Sequence, residues 1–190
     1  MHATPPTDDR PAASIGARLA AVVEDNEGLD GLVAALDGPT SRLTSGPRRR
    51  RLLLGHDLGH ALHPLLTDLP IGCWTSAFLL DLLPFHGSRR AAQRLVGAGV
   101  AAAAPTVVTG WAEWSRTSSA DIRRAGVVHA AANGFATATY AASWLARRSG
   151  HHRTGVALSL LGASAATVGG FLGAHLAVGR KVGTTVVDSD

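Results

Sequence analysis

Only one cysteine, Cys73, stands among the 190 residues. That excludes an internal disulfide, a zinc ribbon and an iron–sulfur cluster held by this chain's own thiolates. Lysine is nearly missing too: arginine supplies seventeen of the eighteen basic side chains, and the formal net charge is +4. Aromatic residues make up 5% of the chain, so no row of stacking platforms accompanies the arginines, and nucleic acid is not the partner expected. No HExxH or other tight catalytic spacing occurs, and no motif marks the chain as an enzyme.

What is abundant is small and apolar. Hydrophobic residues reach 46% with so few aromatics that alanine, together with the 22 glycines, dominates the apolar stretches, a mix suited to closely packed helices. Four runs stand out: residues 64–83, 95–114, 125–146 and 155–178. Each has about the twenty residues that cross a hydrocarbon core roughly 30 Å thick. A soluble bundle would carry a charged stripe on every helix. None is present between Ala125 and Ala146, and between Gly155 and Val178 only His175 is titratable. Short connections make neighbouring helices antiparallel. The expectation is an all-α, integral membrane antiparallel four-helix bundle.

Ahead of it, residues 1–47 read as a polar and amphipathic helical segment. MHATPPTDDRP lacks the apolar core of a signal peptide. Residues 13–36 have the periodicity of one or two short helices, broken at Gly38-Pro39 and Gly46-Pro47. Arg48–Arg51 followed by Leu52–Leu54 suits an approach along a membrane surface. The membrane domain is expected over 48–185 with a tail at 186–190. Pro64 is placed to open the first helix and Pro105 to kink the second.

Arg42, Arg48–Arg51, Arg116, Arg123, Arg124, Arg180 and Lys181 fall on one side of this topology. Arg89, Arg90, Arg94, Arg147, Arg148 and Arg153 fall on the other. The larger basic group favours the cytoplasm, which predicts a multi-pass protein of the cell membrane with both termini inside.

The same topology gathers His60, His63, Asp68, Trp111, Glu113, Trp114, His129 and His175 at one end. The other end holds Asp81, His86, Trp144, His151 and His152, mostly in loops. His129 and His175 each lie about one turn inside a helix, and Asp68 roughly 7.5 Å along the first. Ionisable groups at such depth are costly and normally face partners or a wet cavity. His129 and His175, with His63 as a further candidate, are the residue type that ligates haem b from facing helices. A non-haem iron or zinc site would use His63, His129 and His175 with Asp68 or Glu113. His60, Asn133 and Trp111 would support either. The ordinary readings are an interface anchor or cap for His60 and His63, a carbonyl-bound histidine for His129 and His175, belt aromatics for Trp111 and Trp114, and an interhelical hydrogen bond for Asn133. The glycines of the second and fourth helices pack helices closely, and beside His175 they would leave room for a flat cofactor.

GHALHPLLTDLPIGCWTSAFLLDLL (59–83), PTVVTGWAEWS (105–115), RRAGVVHAAANGFATATYAASWLARR (123–148) and TVGGFLGAHLAVGRKVG (167–183) resemble the bacterial membrane proteins grouped as domain of unknown function 2231. The resemblance spans about residues 40 to 185. It implies a four-helix membrane unit with a His-Pro start on its first helix and further histidines matching His129 and His175. The chain shows GAH where relatives often have a second glycine before the histidine. The family carries no established activity, and some relatives join the unit to a Rieske iron–sulfur domain, which the single cysteine of this chain could not build. A redox context follows, with a Rieske-type or other redox protein as partner in trans, beside the lipid bilayer and a second copy of the chain. Three functions compete: a membrane electron-transfer subunit, a non-catalytic scaffold or assembly partner, and a small transporter. The last lacks the charged residues that a midplane site wants.

Overall fold

Ser14 opens the first helix by accepting a hydrogen bond from the Ala17 backbone N–H (3.2 Å), which satisfies a donor the helix leaves free. The computed structural model describes residues 14–83 and 85–183. The polar start at 1–11, both chain ends and the tail at 186–190 lie outside the described residues. Three short helices come first: α1 (Ile15–Glu24), α2 (Asp30–Ser41) and α3 (Pro47–Leu54). Four long ones follow: α4 (Leu62–Leu82), α5 (Ser88–Trp114), α6 (Ala120–Arg148) and α7 (His152–Ala174), the last running into a π-helical turn at His175–Gly179. Among the described residues there is no strand.

Three segments are long and apolar enough to cross a membrane: Leu62–Leu82, Ser88–Trp114 and His152–Gly179. α6, rich in alanine, threonine and serine with His129 and Asn133, falls below that standard.

The helices outrun their apolar cores. α5 takes in Arg89, Arg90 and Arg94, and α6 takes in Asp121, Arg123 and Arg124. Periodicity of apolar residues finds the core of a span, whereas charged end turns remain helical because nothing breaks them. α5 and α7 are each preceded by a glycine in the left-handed region, Gly87 (φ 86°) and Gly150 (φ 83°). α4 starts at Leu62, so Pro64 is its third residue rather than its first. Pro39 lies inside α2, which continues through the expected break and ends with the Thr40 hydroxyl bonded to the Leu36 carbonyl at 2.6 Å. Pro70 lies inside α4 and cannot supply the N–H that would bond the Leu66 carbonyl. The Thr106 hydroxyl of α5 donates to that carbonyl instead (3.1 Å), which matters where no water is at hand.

Packing is inside-out relative to a water-soluble bundle. Ala92, Ala103, Ala112, Ala125, Ala136 and Ser143 are buried, while Leu65, Leu69, Phe78, Leu79, Phe135, Leu160, Leu161 and Phe171 face outward. Small side chains let backbones approach, Trp74, Val96, Trp114, Tyr140 and Leu172 fill the space between them, and many leucines and phenylalanines form an outer belt.

Helices α4 and α5 form one pair and α6 and α7 another, and the two pairs repeat. His63 and Trp74 of α4 correspond to His129 and Tyr140 of α6, each 66 positions on. Gly87, Gly99 and Gly110 correspond to Gly150, Gly162 and Gly173, each 63 positions on. The correspondence is physical. A Cβ on Gly99 would strike the Trp74 indole, and one on Gly162 would press on the Tyr140 ring at 3.0 Å.

The short helices dock on one end of these pairs through charge. Arg124 grips Asp30 with two nitrogens (2.7 and 2.8 Å) and the Glu24 carbonyl with a third (3.1 Å). Arg123 pairs with Asp37. The Arg124 guanidinium bonded to Asp30 holds its carboxyl below the usual carboxylate range.

Candidate functional site

His63 is the second residue of α4. Its Nδ1 lies 2.9 Å from the Thr106 carbonyl oxygen of α5. A carbonyl only accepts, so Nδ1 carries the proton and Nε2 is left with its lone pair. His129 repeats this across the second pair, with Nδ1 2.8 Å from the Gly169 carbonyl of α7. The two rings meet edge to face, with centroids 6.3 Å apart and planes at 83°.

Glycines seat both rings. A Cβ on Gly110 would meet His63 Cε1 at 2.8 Å, and one on Gly173 would meet His129 Cε1 at 2.8 Å. The residue four after each histidine bonds back to it: Thr67 Oγ1 donates to the His63 carbonyl, and Asn133 Nδ2 to the His129 carbonyl, both at 2.9 Å. The Asn133 amide also lies 3.4 Å from both nitrogens of the His129 ring.

Residues 59–186 match the model of the family described as predicted membrane protein (DUF2231). The chain belongs to this family. No curated protein and no solved structure matches it.

The remaining site candidates of this DUF2231 protein divide. His175 points elsewhere: its Nε2 is 2.9 Å from Glu24 Oε1 of α1, an oxygen that Arg180 Nε also approaches at 3.4 Å. Arg180 pairs further with Asp121. Glu113, near the end of α5, has its Oε1 buried and without a hydrogen-bond partner. Asp68 and His60 are exposed. Trp111 packs edge-on against Trp114 (5.5 Å), whose indole N–H donates to the Arg123 carbonyl (3.0 Å) and whose face carries the Arg123 guanidinium at 4.3 Å. The structure thus brings His63, His129, Asn133 and Glu113 toward one end and leaves His175 with α1. Among the described residues no three His, Cys, Asp or Glu side chains are grouped to hold a metal ion.

The opposite end holds a network that sequence reasoning missed. Arg147 of α6 grips Asp81 of α4 with two nitrogens, at 2.9 and 2.6 Å. Their side chains are 1% and 6% exposed. Ser143 and Ser159 bond each other (2.8 Å) and the same guanidinium (3.2 and 3.3 Å). His152 Nε2 lies 3.7 Å from Asp81. The available signal was the offset: Arg147 follows Asp81 by the 66 positions that separate the two histidines.

Proposed function

We propose that α4–α7 form an antiparallel four-helix bundle across the cell membrane, with both termini cytoplasmic, and that the bundle is a redox subunit holding haem iron or one metal ion through His63 and His129. In this reading α6 is the fourth span. Its lack of charge between Ala125 and Ala146 and its place between α5 and α7 support that. The short helices of 1–47 are a unit attached to it by ion pairs.

One observation supports the redox reading: both Nδ1 atoms are tied to helix carbonyls on imidazoles whose centroids are 6.3 Å apart, so Nε2 is the nitrogen each ring would offer a metal, His129 Nε2 with the Asn133 amide 3.4 Å away. Outer-shell bonds of this kind fix the tautomer and orient metal-ligating histidines. With metal–nitrogen bonds of about 2.0 Å, two imidazoles on one ion place their centroids about 6 Å apart, close to the 6.3 Å seen here. Asn133 and Glu113 would support the ligands from outside. His175 could join only by releasing Glu24. A Rieske-type or other redox protein is the natural electron partner in view of the family's fused relatives, and a second copy of the chain is the other candidate.

The scaffold reading has its own support, since each histidine already closes a helix–helix hydrogen bond over a glycine. The two readings separate in one experiment. The chain is purified in mild detergent from cells supplied with iron and haem precursor, and its absorption spectrum and metal content are measured. The redox reading expects a stoichiometric bound species, lost in His63→Ala and in His129→Ala and retained in His151→Ala. Colourless, metal-free wild-type protein hands the site to the scaffold. Topology is tested by cysteine labelling at Ser118 and Ser149 after Cys73 is replaced. The two must react from opposite sides.

A further inference from the structure

The loop between α6 and α7 lines an open surface pocket of about 400 Å³ together with the start of α5. Its walls are Arg89, Gly150, His151, His152, Arg153 and Thr154. No wall residue is acidic. The nearest carboxylate, Asp81 at 3.7 Å from His152, is already matched by two nitrogens of Arg147. Among the described residues, no carboxylate pairs with Arg89 or Arg153.

The backbone adds to it. α7 begins here, 23 residues long, with no side-chain cap from His151 and no acidic residue in its first turn. Its first N–H groups and the positive end of its dipole favour an anion. Thr154 supplies a hydroxyl donor. Two guanidiniums, two imidazoles, a hydroxyl and free backbone donors around one space are what a phosphate group takes.

We propose that this pocket binds a phosphate-bearing anion. The proposal rests on the reading of α5 and α7 as membrane spans, which places the pocket where those spans leave the hydrocarbon, at the depth of lipid headgroups. Basic pockets between spans at that depth suit anionic phospholipids.

The full chain in mild detergent is offered phosphatidylglycerol or phosphatidylcholine, and retained lipid is counted by native mass spectrometry, with and without inorganic phosphate. Wild type should keep phosphatidylglycerol over phosphatidylcholine. R89Q/R153Q should hold it about thirtyfold more weakly. R116Q, at the other end, should match wild type. Displacement of the lipid by millimolar phosphate, or phosphate binding without lipid retention, would assign the pocket to free phosphate within the same proposal. Equal lipid retention by wild type and R89Q/R153Q at unchanged helix content, or binding of neither probe, overturns it. Arg153→Gln alone provides the same comparison should the double variant lose helix content. Extraction of the chain by carbonate would overturn the membrane reading. Lost selectivity with the chain still in the bilayer overturns only the site.

Discussion

The Trp74 indole and the Tyr140 ring stack with centroids 4.0 Å apart and planes 9° from parallel. Each stands eleven residues after the histidine of its own helix, so the α4–α5 and α6–α7 pairs meet ring against ring at two levels. Equivalent positions should accept equivalent residues. Tyr140→Trp is expected to change stability by less than about 1.5 kcal/mol. Tyr140→Ala should cost about 3–5 kcal/mol, by analogy with other large aromatic deletions. Thermal unfolding in detergent measures both. Equal losses from the two variants would count against the equivalence.

The glycine seats make a sharper test. An alanine at Gly110 or Gly173 brings Cβ to 2.8 Å from a ring carbon that its hydrogen bond holds in place. Each substitution should destabilise by about 1–3 kcal/mol. Gly134, where a Cβ would meet nothing within 4 Å, should gain up to about 1 kcal/mol as alanine. Matching melting temperatures for all three variants would refute the seating.

Asp81 and Arg147 form the buried ion pair that joins α4 to α6. Removing one partner leaves a charge in the interior, so Asp81→Asn or Arg147→Met should cost about 3–5 kcal/mol. The double variant Asp81→Leu with Arg147→Met should recover most of that loss. Resistance to unfolding in dodecyl sulfate reads the series, and additive losses would show that the pair is not coupled.

Acid should release the short helices before the long ones. The Asp30 carboxyl is depressed below its ordinary value of 3.8 by the bond from Arg124. Its contribution is therefore complete above that value and is lost as pH falls through the lower folded one. Hydrogen exchange at pH 3 and below should show α1 and α2 opening while α4–α7 stay protected. Arg124→Gln should show the same opening at neutral pH. Unchanged protection in that variant would remove the ion pair from the docking.

The helices were legible because their interiors carry little or no charge over some twenty residues; His129 stood out as a rare titratable group inside such a run and His63 as the residue just before one. The partner of His175 was not, because Glu24 lies 151 positions away and local spacing says nothing about where α1 docks. The repeat was hidden for another reason. Its two halves share ring seats and turns but few identical residues, and the offset shifts from 66 to 63 between their first and second helices. Only contacts such as Gly99 under Trp74 and Gly162 under Tyr140 make the correspondence readable.

An interior of alanine, glycine, serine and threonine beneath a belt of leucine and phenylalanine reverses the usual tolerance to mutation. In lipid, an inner contact gains nothing from hiding apolar surface, and its strength is set by how closely two backbones touch. Polarity at an inner position should matter less than size: Ala136→Ser should be absorbed where Ala136→Leu is not. The outer leucines should exchange freely among apolar types and refuse only charge. A substitution map of this chain would show small inner side chains as constrained positions alongside the buried Trp74–Tyr140 stack.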